Sequence, residues 1–282
     1  MNVEENEYMK LKKISINILL ALVLLVPTIN VAQTLRNQSI SNIGMTDPYC
    51  GTDGYLQAAL GLEAEEAKCS SITITNTVND NVSDWVLLEL RAVDSGNEVG
   101  SATTGTVVAR KPAFLLSNGY VVDAEEYSGT DVCNNFDEQD TTNCPPVEFD
   151  FADNNQILGK DLYVVVRHLN HLDVISNERM STATTTIGAR YSYDFTPLTE
   201  GETNAARGGN LGLKIENGMA TMFVGDVNSD ANINAADYLQ IYHEIDMGTT
   251  SKGSDIDFSG TVDADDVSSR LGENLGRTTQ LP

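Results

Sequence analysis

The chain has 282 residues, with 41 Asp and Glu against 17 Lys and Arg, for a formal net charge of −24. That length allows one large domain or two ordinary ones, and 41% apolar residues with 6% aromatics describe a globular chain rather than a disordered one. The charge excludes a sequence-independent grip on nucleic acid, which needs clustered Lys and Arg, and opposes docking to an anionic membrane. The same carboxylate surplus favours divalent cations, calcium above all.

Residues 1–32 read as an export signal. The basic stretch Lys10-Leu11-Lys12-Lys13 precedes an apolar run from Ile14 to Pro27, and Ala32 offers a small residue for cleavage before Gln33. Glu4, Glu5 and Glu7 sit where such a signal is usually basic, and a start at Met9 restores a conventional opening; Asn30 departs from the small residue usual three positions before the cut. The run is short against the roughly 20 apolar residues of a spanning helix, so no stable membrane span is expected. No Cys follows it directly, which argues against a lipid anchor. The expected location is secreted, extracellular or at the cell surface. Cys50, Cys69, Cys133 and Cys144 agree with an oxidising compartment. Four cysteines allow three pairings; Cys50–Cys69 and Cys133–Cys144 are favoured because each closes a short loop. With no C-x-x-C pair, a zinc site on these cysteines is not expected.

Residues 33–45 read as a polar N-terminal extended segment and residues 46–224 as one β domain, with strand after strand from Ser70 to Phe223. A short helix fits Leu56–Ala67. Strand signals then follow at Ile72–Thr75, Trp85–Leu90, Val107–Ala109, Ala113–Leu116, Tyr120–Val122 with a turn at Gly119, Leu162–Val166, Tyr191–Phe195 and Ala220–Val224. Asp123–Cys144 is polar and reads as a long surface loop. Many short strands between Gly, Asn, Asp and Ser clusters predict a mainly β fold, an antiparallel β-sandwich. Trp85, the only Trp, lies in an apolar strand and reads as core.

Residues 225–282 differ in kind. Asp226, Asn228, Asp230, Asn234 and Asp237 occupy positions 1, 3, 5, 9 and 12 of a twelve-residue loop, with Asn232 at position 7. Short oxygen side chains at that spacing converge on one calcium ion while position 7 offers its carbonyl. Asp255, Asp257, Ser259, Thr261, Asp263 and Asp266 repeat the arrangement 29 residues on. Ile233 and Val262, both at position 8, are expected to turn inward and pair. An acidic, solvated tail would not keep this register. After the first loop Tyr238, Ile241, Tyr242 and Ile245 recur at helical spacing, and after the second Val267, Leu271 and Leu275 do so more weakly. Ala231 stands at position 6, where the second loop has Gly260, and a positive φ there is costly for a residue with a Cβ. The first loop carries three carboxylates against four in the second, so the second is expected to bind calcium more tightly.

These residues resemble a type I dockerin, whose repeats read D-x-N-x-D-G-x-I-N-x-x-D followed by a helix. The resemblance covers Gly225 to about Leu275 and implies a small α-helical domain with two calcium ions. One would be held by Asp226, Asn228, Asp230, Asn232, Asn234 and Asp237, the other by Asp255, Asp257, Ser259, Thr261, Asp263 and Asp266. Asn232 and Thr261 would contribute backbone carbonyls. Dockerins commonly display Ser-Thr at positions 10 and 11 for cohesin; here these are Ala235-Ala236 and Ala264-Asp265, so the resemblance does not extend to that surface. From Thr46 to Asp230 the chain resembles a module of secreted Bacteroidetes proteins often followed by a calcium repeat. The residues that carry this are Thr46-Asp47-Pro48-Tyr49, Asp84–Arg91, Lys111–Leu116 with Gly119 and Asp123, Val166–Leu172 and Tyr193–Thr196. That module implies architecture and compartment, with no established activity.

His168 and His171, three apart on a strand, point to opposite faces, so a shared ion would need a bend there; both read as hydrogen-bonding groups at a strand end. His243 reads as a surface residue. No Gly-x-Ser-x-Gly elbow or phosphate-cradling Gly loop is present, and no enzyme is expected. The expectation is therefore a secreted, non-catalytic, calcium-binding surface or assembly protein, whose partner is another protein or a second copy, with polysaccharide as a further candidate. The alternatives are a dockerin-bearing accessory of a polysaccharide-degrading system and a subunit of an extracellular filament.

Overall fold

A computed structural model describes residues 13–19, 82–116, 119–124, 126–127, 145–150, 156–185, 188–199, 202–216, 219–247, 253–257 and 261–282. The four cysteines, Ser259 and Gly260, the segment 33–45, the expected helix Leu56–Ala67 and the expected strand Ile72–Thr75 lie outside these residues. Among the described residues no helix is long and apolar enough to cross a membrane.

The chain is mainly β. One nine-stranded sheet is built from β1 (Lys13–Leu19), β2 (Val82–Asp94), β3 (Val107–Leu116), β4 (Tyr120–Asp123), β5 (Val147–Asp150), β6 (Lys160–His168), β7 (His171–Ile175), β8 (Ser181–Thr185) and β9 (Gly188–Asp194). The strands run in the order β7-β6-β2-β3-β4-β1-β9-β8, with β5 beside β1. Every pairing is antiparallel except β1 with β9. Two small hairpins follow, β10 (Leu198–Thr199) with β11 (Glu202–Thr203) and β12 (Lys214–Glu216) with β13 (Met219–Thr221).

β2 anchors the sheet because both of its faces are covered. Val86, Leu88 and Leu90 join Val164 and Val166 of β6, Ala113 and Leu115 of β3 and Phe149 of β5 in one cluster. Trp85 and Leu87, on the alternate face, join Phe114, Leu116 and Val122, with the Trp85 and Phe114 rings 4.4 Å apart. A strand buried on both faces loses the polar alternation of a half-exposed one, which is why this stretch reads as an unbroken apolar run. Each such side chain contributes roughly 1.5–3 kcal/mol by leaving water. The two signals at Val107–Ala109 and Ala113–Leu116 form a single strand, because Pro112 sits just before the residues that β4 pairs and so interrupts no ladder to it. Gly119 makes the β3–β4 turn with a φ of +90°.

The face of β2 that carries Trp85 also carries a charge, Glu89, fully buried among arginines. Its carboxylate accepts Arg91 Nε at 2.8 Å, Arg110 Nε at 2.7 Å and Arg167 Nη2 at 3.3 Å. Arg91, equally buried, donates Nη1 to Ala102 O at 2.6 Å, and Arg167 also pairs with Asp173 on β7. Burial alone would raise the pKa of Glu89, but the three guanidiniums outweigh it and hold the group below the usual carboxylate range.

Lys13–Leu19 falls inside the stretch read as an export signal, yet here its backbone is an interior strand. It pairs with β9 on one side and with β5 and β4 on the other. Apolar, β-branched residues suit a pleated sheet as well as a signal's apolar stretch, so local pattern alone does not separate the two roles.

Candidate metal centre

The two acidic loops fold alike at their twelfth positions. Asp237 Oδ1 accepts the N–H of Val227 at 2.9 Å and of Asn228 at 3.3 Å, and Oδ2 accepts that of Asn234 at 2.8 Å. Asp266 does the same in the second loop: Oδ1 accepts from Ile256 at 2.7 Å and Asp257 at 3.1 Å, and Oδ2 accepts from Asp263 at 2.9 Å. Both carboxylates are fully buried. They also begin the helices. Asn234 Oδ1 takes the N–H of Ala236, and Asp263 Oδ1 that of Asp265, each at 2.8 Å. Together with the return bond from position 12 this is a capping box, so one Asp closes the loop and starts the helix. The helices are α1 (Ala235–Met247) and a π-helical stretch Asp266–Leu271 continued by a short turn Gly272–Asn274.

Within the first loop Asp226 is buried, with Oδ2 accepting the N–H of Ala231 at 3.2 Å and Oδ1 lacking a hydrogen-bond partner among the described residues. Asn228 Oδ1 accepts the N–H of Asp230, and Asp230 Oδ1 that of Asn232, both at 2.9 Å, while Asn234 Nδ2 stands 3.5 Å from Asp230 Oδ2. In the second loop Asp255, Asp257 and Asp266 each place a carboxylate oxygen within 4.8 Å of the others'. Thr261 Oγ1 donates to Asp263 at 3.3 Å. The second loop therefore gathers Asp255, Asp257 and Asp266, with the N–H of Asp263 bonded to Asp266, while in the first loop hydrogen bonds link Asn228 to Asp230, Asp230 to Asn234 and Asn234 to Asp237 beside buried Asp226, without bringing three carboxylates equally close. Asn232 lies on the exposed side of its loop, Thr261 on that of the second, and Ser259 lies outside the described residues.

Gathering carboxylates in a buried place without a counter-charge is unfavourable, and their pKa values show it. Burial first, then Asp237, Asp173 and Asp230, push Asp226 up to about 8. Burial, reinforced by Asp257, carries Asp266 to about 6 against the N–H bonds that oppose it, and burial raises Asp237. An acid raised in the folded state contributes stability below its unfolded value of 3.8 and loses it as pH rises through the folded value. Cation-free protein should therefore melt at progressively lower temperature between about pH 4 and pH 8. Saturating calcium, replacing the proton as the neutralising charge, should remove that slope in calorimetric scans. A cation-free Tm that climbs over this interval would contradict the assignment.

The position-8 side chains behave as the register requires, with Ile233 and Val262 buried in one cluster with Leu172, Phe223, Val227, Ile241, Ile256 and Leu271. The main chain of Ile233 does not pair with that of Val262. Ile233 instead donates to Arg277 O and accepts from Gly276 N, both at 2.8 Å, because the chain after the second helix returns across the first loop. Gly225 sits where a Cβ would come within 2.8 Å of Leu271, at a φ of +124°. The helix stripes are also corrected: Ile241 and Ile245 face the cluster, whereas Tyr238 and Tyr242 are exposed and stacked on each other with centroids 6.2 Å apart. Leu271 is buried and Leu275 exposed, since the wide π turn rotates the stripe and Gly276, at a φ of +84°, ends it.

Ala231 has a φ of +68°, the left-handed conformation expected of position 6. Ala231→Gly should raise stability by about 1 kcal/mol, the cost of a Cβ there less the extra chain entropy of glycine, and should tighten calcium binding by the first loop. Denaturation and calcium titration of the variant check both.

No protein family, curated protein or solved structure matches the chain.

Proposed function

We propose that this is a secreted, non-catalytic calcium-binding protein in which a β-sandwich carries a dockerin-like repeat, and that it serves attachment or assembly outside the cell. One observation carries the reading: two loops 29 residues apart fold the same way about buried Asp237 and Asp266. The three converging carboxylates of the second loop, and in the first the raised Asp226 beside Asp237 and Asp230, would give an ion a role in folding, so that its binding free energy becomes folding free energy. The sandwich reading is supported by the apolar cluster on one face of the long sheet, which joins β2, β3, β5 and β6 and is covered by Phe195, Ala206, Leu213, Ala220 and Met222. A protein partner is supported by the exposed face of α1, where Tyr238, Leu239, Tyr242 and Met247 meet solvent.

A second reading, a self-assembling filament subunit, is favoured by the position of β1. Removal of residues 1–32 at the expected cleavage point takes out a strand paired on both sides, and leaves β9 on one side and β4 and β5 on the other able to accept a neighbour's strand.

One experiment separates them: thermal unfolding and size-exclusion elution of residues 1–282 and 33–282, each with calcium and with EDTA. The first reading expects a calcium-dependent rise in Tm in both chains with monomeric elution. High-mass species from 33–282 alone favour the filament. An EDTA scan that leaves Tm unchanged in both chains defeats the calcium reading.

A further inference from the structure

β6 and β7 are joined by the two-residue turn Leu169–Asn170, and His168 stands directly across the ladder from His171. The turn supplies the bend that a continuous strand lacks and puts both imidazoles on one side. His168, Asn170 and His171 are all buried, and the two rings meet edge to face with centroids 4.5 Å apart. Three of their atoms close a triangle. His168 Nδ1 lies 2.9 Å from His171 Nδ1 and 3.1 Å from Asn170 Oδ1, and His171 Nδ1 lies 2.8 Å from the same oxygen.

Hydrogen bonds cannot satisfy all three sides. Each Nδ1 has a single in-plane site, which holds either a proton or a lone pair. The side between the two nitrogens needs one of each. Asn170 Oδ1 offers lone pairs only, so it then faces one lone pair. Turning the amide over presents N–H groups instead, and one of these faces the protonated nitrogen. Every choice of tautomer, charge and amide orientation leaves one side with like against like, in a buried place where such a mismatch is most costly.

A cation between the three atoms turns all of them into ligands. Ligand atoms 2.0–2.1 Å from an ion stand about 2.8–3.0 Å apart at octahedral right angles and about 3.3–3.4 Å apart at tetrahedral ones. The three separations here run from 2.8 to 3.1 Å, so an octahedral ion fits them as they stand and a tetrahedral zinc after they open by a few tenths of an ångström. The outer contacts fit as well. His168 Nε2 is 3.1 Å from Asp84 Oδ2, the carboxylate–histidine pairing that keeps the opposite nitrogen bare for a metal. Asn170 Nδ2 has no hydrogen-bond partner among the described residues, so the amide is fixed by what its oxygen meets.

We propose that the β6–β7 turn binds a divalent transition ion of the zinc class through His168 Nδ1, His171 Nδ1 and Asn170 Oδ1. Imidazole ligands select such ions and not calcium, which makes this site chemically distinct from the oxygen-only loops. Its place in the fold gives the ion a structural task. Gly225 donates to Asn170 O at 2.7 Å, Leu172 donates to Phe223 O at 2.8 Å and His171 bridges Val224, so the turn grips the segment that leads into the first acidic loop.

The test is titration of metal-free full-length protein with zinc, and with cobalt as a visible-absorbing stand-in, in saturating calcium to occupy the carboxylate sites. A single equivalent should bind, with an imidazole-type cobalt spectrum, and His171→Gln should weaken it by about 100-fold or more while leaving the circular dichroism unchanged. Should that variant fail to fold, nitrogen chemical shifts of the wild-type imidazoles decide, since zinc should move both Nδ1 signals. Absence of zinc and cobalt binding to folded protein, binding indifferent to a folded His171→Gln, or unmoved Nδ1 signals would each overturn the proposal.

Discussion

Asp266→Ala should abolish calcium binding by the second loop and leave the C-terminal repeat poorly folded. The substitution removes a charge from the Asp255, Asp257 and Asp266 group and strips three backbone N–H groups of their acceptor, one of them the return bond of the capping box. The buried Ile256 donor left unsatisfied costs about 1–3 kcal/mol and the two part-buried donors, one of them the return bond of the helix cap, add less each, so about 2–4 kcal/mol is at stake before the ion is counted. Asp237→Ala damages the first loop by the same route, and comparing the two variants ranks the sites. The second loop has the three-carboxylate cluster, while the first carries Ala231 in a strained conformation. Calorimetry should therefore find the surviving site of Asp237→Ala tighter than that of Asp266→Ala. The opposite order would reverse the ranking.

Glu89→Ala should destabilise the sheet by about 3–5 kcal/mol, because it leaves buried Arg91 and Arg167, with Arg110 beside them, short of their shared carboxylate. For a chain of this size that is a fall in Tm on the order of 10 °C. The loss should persist at high salt, since a pair withdrawn from solvent is screened little. Arg110→Ala, whose side chain reaches the surface, should cost much less. Equal losses from the two substitutions, measured by urea denaturation, would show that Glu89 does not hold the cluster together.

The parts of this molecule that obey short-range rules were legible in its sequence. β2 and β6 announce themselves as runs of β-branched and large apolar residues, and the loops by carboxylates at fixed intervals whose twelfth members double as helix caps. β7 and β8 were not legible: Ser181–Thr185 has no apolar alternation, and His171–Ile175 is read as strand only once the turn before it is known. The two histidines do sit hydrogen-bonded at strand ends as read, but not on opposite faces, because a period of two holds along a strand and fails across a two-residue turn. The buried ion cluster draws on β2, β3, β6 and β7, and its one local trace is a Glu in the middle of an apolar run. The main-chain pairing of Ile233 went to residues more than forty positions away, which no loop motif encodes.

The returning segment after the second helix has a further consequence. Thr279 donates its N–H to Ala231 O and its hydroxyl to Asp173 O, Arg207 reaches Gln280 O, and Leu281 packs beside Val93, Tyr163 and Ile175. The last residues thus stitch the acidic loops to the strands they follow, so the two parts should tumble as one body in solution. Spin relaxation of the backbone amides should return a single rotational correlation time for both, and a variant ending at Arg277 should return two.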